Sequence, residues 1–593
     1  MKCLRLSVGL GAFALCATGF AGCGDSDTSG LGNCGNGTIE SPEICDGTNL
    51  GGSSCLALNA GDGLLGCTAD CRYDFSLCYD PPVCGNERKD YGEACDGGDV
   101  GMESCESLGL GYGNLACSPD CLALDTSGCH GPICGDGTPQ GPEQCDGTDF
   151  RGATCLTLGY DGGELICGEM CFINETACTC NDGGIYCTDS CTNAQVDAAH
   201  CGGCGNPCQP SEICVAGGCT DPNAAWALAG NGAVDAAAGA VAHDLATDGA
   251  IPLVAYVTDA GPTQQVRVAK LDAGPGWTTL DPSPSTGATT LDAAVALAVS
   301  GTTPYVLYSG GPQAPNLHVM TRQASAWQEI GAPGWGSACG MHWSLDLALD
   351  GTMPHVVSFG AGGCALGIDY AWWDGNAWQT HPSAASFPAQ LTGNGNGLPS
   401  LLLTDRAYVG VPDNDIANSQ SLHDVRFWDE AGNAWTTLGA SLDETPSQGS
   451  NEPMALAADA AGNLLAAWAE DQGVQPQTYA VYVKRYSLAD QSWSLLGAGK
   501  ASETRSASAP SIAVIDGVPW LAYAEVGSGG NTLVKVRRFD QGSTAWQTVG
   551  PALNQNAAVN AAAPVVVGVN GVPHVAFREG VVGAEQLFVK RIP

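Results

Sequence analysis

Carboxylates recur at one spacing in the first third of the chain, and carboxylates are well suited to bind a hard cation. They follow the pattern Glu-x-x-Cys-Asp-Gly, as Glu43 with Asp46, Glu93 with Asp96, and Glu143 with Asp146. One Ca²⁺ ion needs about six to eight oxygen ligands, and the pattern does not supply a full set. Asp-Gly also favours a tight turn in which the Asp side chain bonds to the backbone. We therefore expect turns and no cofactor, with a Ca²⁺ ion in each repeat as the alternative.

A second group of residues with binding chemistry lies in long insertions of the C-terminal two-thirds. These residues are Trp335, His342, Trp343, Asp413 and Asp415. Aromatic side chains beside carboxylates can bind a sugar or a peptide, and aromatic anchors that pack long loops are the alternative interpretation. Cys339 and Cys364 fall in neighbouring insertions, so we predict a disulfide that ties two loops together.

Motifs of the common enzyme classes are missing from the sequence. No GxSxG nucleophile elbow, HExxH zinc motif, phosphate-binding GKS or GKT loop, or SxDxGxxW box occurs. His355 and His574 occupy the same repeat position after a Pro, which argues against a role as catalytic bases. Paired carboxylates for glycoside cleavage leave no local spacing signature. We expect a protein without catalytic activity, and a polysaccharide-active enzyme is the alternative.

Seven tryptophans divide residues 221–593 into repeats. Trp226, Trp277, Trp327, Trp378, Trp435, Trp493 and Trp546 are separated by 51, 50, 51, 57, 58 and 53 residues. Each repeat contains an apolar strand of small residues, a turn, two further strands and the Trp strand, which we name strands a to d. Four short strands in a repeat of this length are typical of a propeller blade. The sequence therefore predicts an all-β fold whose C-terminal part is a seven-bladed β-propeller.

The two ends of this region complement each other. The last repeat ends at Pro593 without a Trp strand, and Trp226 has no repeat before it. Pairing the two completes the seventh blade and removes both open sheet edges. A β-sandwich array is the alternative fold, and it leaves Trp226 unexplained. Strand a should line the axis, and because its residues are small we expect a packed channel that is poor in catalytic groups.

Cysteines repeat every 50 residues from Cys34 onwards. The first unit has Cys34, Cys45, Cys55, Cys67, Cys71 and Cys78, and the next two units keep this spacing except for one interval. Units this small need disulfides for stability, at ~2–5 kcal/mol each. Three disulfides per unit are expected, and the sequence does not choose their pairing. Residues 34 to 178 resemble the Cys-rich CGxGxxExxExCDG repeats of bacterial surface lipoproteins, which are common in myxobacteria.

Eight further cysteines between Cys180 and Cys219 have a different spacing, which includes the run Cys201-Gly-Gly-Cys204-Gly-Asn-Pro-Cys208. A zinc site is the alternative interpretation of such a run, but four disulfides fit an exported protein better. The pattern resembles the Stig1-like Cys-rich repeats of bacterial surface proteins. These small modules should be dominated by loops.

The N-terminus has the features of an export signal. Lys2 and Arg5 precede an uncharged, mostly apolar run from Leu6 to Ala17, which is too short to span a bilayer. The run ends in Phe20-Ala21-Gly22-Cys23, which resembles the bacterial lipobox, so Cys23 is the predicted lipidation site and cleavage without lipidation is the alternative. Gly24 favours the outer membrane in lipoproteins of this type. We therefore predict an exported protein held at the outer membrane or cell surface by its N-terminal lipid anchor.

Charge excludes one class of partner. The chain has 62 acidic and 21 basic residues and a net charge of −41, and such a field repels phosphate backbones. We therefore expect no nucleic-acid partner.

Two functional hypotheses follow. In the first, a disulfide-rich stalk on a lipid anchor displays a propeller that binds a protein or glycan partner. In the second, the same stalk displays a polysaccharide-active or lectin-like propeller, and carboxylates with raised pKa values in the ring mouth would favour it. The predicted boundaries are 1–22 for the signal peptide, 23–33 for the lipidated Cys and tether, 34–79, 80–130 and 131–179 for the repeats, 180–220 for the Stig1-like module and 221–593 for the propeller.

Overall fold

The computed structural model confirms the all-β fold class, with a disulfide-rich N-terminal region and a seven-bladed propeller. It describes residues 34–79, 83–90, 92–131, 134–258, 264–272, 274, 276–285, 291–310, 316–331, 341–361, 367–381, 399–415, 420–444, 453–474, 476–503 and 506–593. Helical structure within these ranges is confined to three short 3₁₀ turns at Leu56–Leu58, Leu156–Leu158 and Asn181–Gly183. None of the described helices is long and apolar enough to cross a membrane.

Two compact units contain the described residues. One consists of the described part of the chain up to Thr154 together with Glu164–Ala177, and the other consists of Cys155–Gly163 and Cys178–Pro593. The Cys-rich repeats contain only two-residue strands, which pair as β1 with β4, β2 with β3, β5 with β8, β6 with β7, β9 with β12 and β10 with β11. Their bounds are β1 Asp62–Gly63, β2 Gly66–Cys67, β3 Tyr73–Asp74, β4 Cys78–Tyr79, β5 Tyr112–Gly113, β6 Ala116–Cys117, β7 Leu124–Asp125, β8 Cys129–His130, β9 Gly162–Gly163, β10 Ile166–Cys167, β11 Ile173–Asn174 and β12 Cys178–Thr179.

Each Cys-rich repeat has too few residues to form a stable apolar core, and three disulfides stabilise it instead. The first cysteine of a repeat bonds to the fifth, the second to the fourth and the third to the sixth. In the first repeat these bonds join Cys34 to Cys71, Cys45 to Cys67 and Cys55 to Cys78, and the other two repeats are bonded in the same way. A density of disulfides this high is typical of exported proteins.

The fourth Cys-rich module packs against the propeller. Its hairpins are β13 Ile185–Cys187 with β14 Ser190–Thr192 and β15 Ile213–Val215 with β16 Gly218–Thr220, and four disulfides join Cys180 to Cys191, Cys187 to Cys204, Cys201 to Cys214 and Cys208 to Cys219. Ile213 and Val215 share a buried cluster with Ile515 and Val518 of the sixth blade. The Asn193 amide donates to the Asp516 carbonyl at 2.9 Å. This module therefore belongs to the propeller body.

Each propeller blade is one four-stranded antiparallel sheet. In chain order the bounds are β17 Ala227–Leu228, β18 Ala240–Thr247, β19 Pro252–Thr258, β20 Val266–Leu271, β21 Trp277–Thr279, β22 Leu291–Ser300, β23 Thr303–Gly310, β24 Asn316–Gln323, β25 Ala326–Glu329, β26 Met341–Asp350, β27 Met353–Ala361, β28 Gly367–Trp373, β29 Trp378–Thr380, β30 Ser400–Leu403, β31 Ala407–Asp415, β32 Gln420–Asp429, β33 Ala434–Thr437, β34 Met454–Ala458, β35 Leu464–Asp471, β36 Tyr479–Ser487, β37 Ser492–Leu495, β38 Ala507–Ile515, β39 Val518–Val526, β40 Thr532–Asp540, β41 Ala545–Thr548, β42 Ala561–Val569, β43 Val572–Glu579 and β44 Gln586–Arg591. Blades one to six follow from β18 in groups of four. The seventh blade consists of β42, β43, β44 and β17, as predicted, with Ala227 opposite Arg591 and Leu228 opposite Lys590.

The repeated tryptophans join each blade to the preceding one. At six junctions the indole N–H donates to the carbonyl of the residue three positions after the preceding Trp. The pairs are Trp226 with Val549, Trp277 with Ala229, Trp327 with Leu280, Trp378 with Ile330, Trp493 with Leu438 and Trp546 with Leu496, at 2.7–3.3 Å. Gly550 follows Val549 with φ of +73°, and a Cβ there would lie 2.6 Å from the Trp226 ring. Each of these Trp residues, together with the backbone carbonyl three residues after the preceding Trp, therefore forms a joint between neighbouring blades.

Candidate functional site

The insertion residues predicted to bind a ligand lie outside the described residues, either entirely or with their side chains. Trp335, Cys339 and Cys364 lie outside the described residues. His342 and Trp343 belong to β26, and Asp413 and Asp415 belong to β31, but their side chains also lie outside the described part. The lipidation site Cys23 falls before the first described residue. The ligand site, the disulfide between the loops and the lipid anchor therefore stay predictions.

The repeated spacing of acids in the Cys-rich repeats has a structural role. The Asp46 carboxylate is buried and accepts backbone N–H bonds from Gly35, Asn36 and Gly37 at 2.8–3.3 Å, and Glu43 accepts one from Glu40 at 3.2 Å. Asp96 and Asp146 each accept three such bonds, and Glu93 and Glu143 each accept one. Each Asp holds a loop about ten residues earlier in the chain. A Ca²⁺ ion at these acids stays the alternative interpretation.

A cavity of about 250 Å³ lies on the propeller axis, where we had expected a packed channel. Asp244 and Asp346 line it, together with Ser344, His243 and Arg578. Burial raises the pKa of Asp244 to about 6. Burial also raises the pKa of Asp346 to about 7, and the negative charge of Asp244 adds to this effect. The channel is therefore open at this level and carries two carboxylates with raised pKa values.

These axial carboxylates also join blades. Asp244 accepts a hydrogen bond from the Leu297 N–H of the next blade at 2.7 Å, and Asp346 accepts one from the Leu401 N–H at 2.6 Å. Each carboxylate accepts a second bond from the N–H of the residue that follows it. Ser400 and Ser511 occupy the same position in strand a of the fourth and sixth blades and accept the N–H of Leu456 and Val566 at 3.1 and 3.0 Å. Because Ser accepts the same hydrogen bond in two other blades, we infer that the main role of this position is to join neighbouring blades.

His243 faces the same cavity, and both of its ring nitrogens are buried. Burial and the positive charge of Arg578 lower the pKa of His243 to about 3. Arg578 itself donates to the Val241 carbonyl at 2.6 Å and pairs with Glu585 at 3.1 Å. The imidazole is therefore neutral at ordinary pH.

A larger cavity of about 620 Å³ lies between the third and fourth blades, and we call it the interblade pocket. The third blade contributes His355, Tyr370, Trp372 and His381, and the fourth contributes Asp405, Arg406, Trp428, Asp429 and Glu430 together with the alanines beside them. Asp405 and Arg406 lie in the a–b turn and Glu430 lies in the c–d turn, whereas Trp428 and Asp429 are the last two residues of β32.

Two of these residues depart from the repeat. The register of strands b and c places Tyr370 where the other six blades have Val268, Val319, Val425, Val483, Val536 and Val589, all of them at most 1% exposed. His381 follows Trp378 by three residues, where the other blades have Ala229, Leu280, Ile330, Leu438, Leu496 and Val549. Ordinary packing residues are thus replaced by rings at this junction.

The replacements form one cluster of aromatic rings. The His381 ring stacks on Trp428 with centroids 3.7 Å apart and planes at 11°, and Tyr370 lies parallel to it at 5.6 Å. Trp372 is 4.8 Å from His381, and Trp435 meets it edge-on at 5.6 Å. His381 therefore fills the centre of four rings. In the other blades, aliphatic side chains occupy the positions of Tyr370 and His381.

Polar groups surround the rings. His355 Nδ1 lies 2.6 Å from the Tyr370 hydroxyl. Burial lowers the pKa values of both His355 and His381, and burial raises that of Tyr370, so all three are neutral at ordinary pH. Asp405 pairs with Arg406 at 3.0 Å, and both are exposed, as is Glu430. The pocket thus combines neutral ring walls with a rim of three carboxylates and one guanidinium.

Sequence reasoning missed the interblade pocket although a signal was present. Tyr370 and His381 interrupt columns of aliphatic residues that an alignment of the seven repeats makes visible. The insertions were the more evident departure from the repeat, and irregular loops commonly carry function.

Comparisons with known proteins found matches among solved structures only. No family model and no curated protein matches the chain. Solved structures with a similar fold include an α-L-arabinanase from Penicillium chrysogenum complexed with arabinobiose, with TM-score 0.36, 10% identity, and 50% of this chain and 92% of that one covered. The match to the fucose-specific lectin from Aleuria aurantia has TM-score 0.34 and 14% identity, and it covers 54% of this chain and 99% of the lectin. A xyloglucanase from Xanthomonas campestris has TM-score 0.39, 15% identity, and coverage of 59% and 52%. These likenesses concern the fold alone and carry no argument about function.

Proposed function

We propose that this protein is an exported, surface-anchored recognition protein whose propeller binds a glycan or protein partner in the interblade pocket. The observation that carries the proposal is the gathering of Tyr370, Trp372 and His381 around one cavity at a single junction of the ring. A residue needed only for packing would match its counterparts in the other blades. A recognition site, in contrast, must differ from the repeat, because a repeated surface cannot be unique.

Geometry supports binding by this pocket. Ligand sites are concave, mostly apolar and supplied with a few polar groups that orient the ligand. The interblade pocket has ring walls from the third blade and polar turns from the fourth. Its volume of about 620 Å³ falls in the range of small-molecule sites, about 300–1,000 Å³.

The test replaces the unusual residues by those of the other blades. Tyr370→Val and His381→Leu restore the repeat, so both variants should fold as well as the native chain. The full-length protein and each variant are applied to an array of glycans and cell-envelope fractions, with Lys270→Ala as a control, because Lys270 occupies the Trp372 position in the first blade. We expect at least a tenfold loss of binding in both pocket variants and none in the control. Unchanged binding in the pocket variants would exclude the interblade pocket.

The placement of the propeller at the cell surface is part of the same proposal. Lipid on Cys23 would anchor the chain, and the disulfide-bonded repeats would form a stalk that resists proteolysis. Replacement of Cys23 by Ser should release the protein from the membrane fraction into the soluble fraction. Retention of this variant in the membrane would exclude the lipid anchor.

A polysaccharide-active enzyme is the second candidate, and Asp244 and Asp346 with their raised pKa values favour it. Such carboxylates can act as a general acid and its partner in glycoside cleavage. Their bonds to backbone N–H groups of the next blade argue for packing instead. Asp346→Ser keeps a hydrogen-bond acceptor and removes the acid, so complete loss of any polysaccharide hydrolysis in a folded variant would support the enzyme.

A further inference from the structure

We infer that the interblade pocket takes an uncharged glycan, and this inference rests on the proposed function. The proposed function requires only that some partner binds in the pocket. The chemistry of the ring cluster and of the rim restricts that partner to one class.

Ring orientation favours a sugar over an ammonium group. A cation is held best by ring faces that converge on an empty centre. Here the centre is filled by His381, which lies within 5.6 Å of Tyr370, Trp372, Trp428 and Trp435. An ammonium ion therefore has no cage to enter. Tyr370, His381 and Trp428 are parallel to within 11° and form a layered stack, and rings in such a stack suit the apolar C–H face of a pyranose.

Rim charges disfavour an anionic glycan. The pocket is lined by three carboxylates, those of Asp405, Asp429 and Glu430, and by the guanidinium of Arg406. This guanidinium already pairs with Asp405. A uronate or sulfate group would add charge of the same sign to this rim and to a chain with a net charge of −41. Sugar hydroxyls, in contrast, donate readily to carboxylates, and such bonds are stronger than those between neutral groups. His355 and His381 are neutral, so each ring can both donate and accept.

The experiment measures binding of three probes to the full-length protein by calorimetry at low and high salt. The probes are a set of neutral gluco-, galacto- and manno-oligosaccharides, an oligogalacturonate and an oligolysine peptide. We expect a neutral oligosaccharide to bind with an affinity that salt leaves unchanged, because no net charge is neutralised. Trp372→Ala should weaken this binding about tenfold or more, which corresponds to loss of one ring contact. Glu430→Lys should increase binding of the oligogalacturonate, because it replaces a carboxylate of the rim by a cation.

The outcomes separate this inference from the proposed function. If oligogalacturonate binds better than every neutral probe and Tyr370→Val abolishes this binding, the pocket is a binding site but its glycan is charged. If oligolysine binds in a salt-sensitive way that Tyr370→Val abolishes, the pocket is a binding site but its partner is a peptide. If no neutral probe binds, the inference is overturned. The proposed function still holds in that case if another ligand binds in a way that depends on the pocket residues. If Tyr370→Val and His381→Leu leave all binding unchanged, the proposed function itself fails.

Discussion

Replacement of Asp346 by Ser should change how the stability of the propeller depends on pH. Burial and the charge of Asp244 raise the pKa of Asp346 from 3.8 in the unfolded chain to about 7 in the fold. The unfolded chain therefore loses this proton first as pH rises, and ionisation favours unfolding. The stability that Asp346 contributes is complete below pH 4 and is lost as pH rises through 7. At about 1.4 kcal/mol per pKa unit, the loss reaches about 4 kcal/mol at most, because the side chain keeps some exposure to the channel.

The assay compares the free energy of unfolding of the native chain and of Asp346→Ser between pH 4 and pH 8 by denaturant titration. Ser can accept the Leu401 N–H, as Ser511 accepts that of Val566 at 3.0 Å. We expect the native chain to lose stability relative to the variant as pH rises. Ser511→Ala is the control, since it removes an equivalent bond without a titrating group and should shift stability equally at every pH. The reasoning would be refuted if the difference in free energy of unfolding between the native chain and Asp346→Ser were the same at every pH. It would also be refuted if this difference grew in favour of the native chain at high pH.

Other predictions concern the joints between blades and the small modules. Gly550→Ala should lower the melting temperature more than Gly583→Ala, because both residues have positive φ but only the former places a Cβ against Trp226. Trp226→Ala should cost about 3–5 kcal/mol, because it empties a buried position at the ring closure, and calorimetry would measure this. Peptide mapping of the non-reduced protein should recover the first-to-fifth, second-to-fourth and third-to-sixth pairing of each Cys-rich repeat. A chelator should leave the melting temperature unchanged, because backbone N–H groups already occupy the Asp46 carboxylate, and a decrease would favour bound Ca²⁺.

Periodicity made most of the architecture predictable. The Trp spacing predicted the number of blades, and the unpaired Trp226 strand predicted the ring closure that the pairing of β17 with β44 confirms. Each of these features depends on a pattern that recurs along the chain, so one sequence contains several independent examples of it. The spacing of the cysteines likewise predicted disulfide-rich modules, but it did not specify the pairing, because any two cysteines of such a short unit can approach each other.

The candidate site depended on tertiary structure for the opposite reason. Tyr370, His381, Asp405 and Trp428 come from two blades and meet only because the third blade packs against the fourth. Their spacing carries no signature, and each is informative only by comparison with its counterparts in other blades. The axial carboxylates are similar, since the bonds of Asp244 and Asp346 run to neighbouring blades about fifty residues away. By itself the sequence determined the number of blades and the pairing that closes the ring, because the Trp strands recur along the chain. The folded ring decided which exceptional residues face each other, because that depends on contacts between repeats.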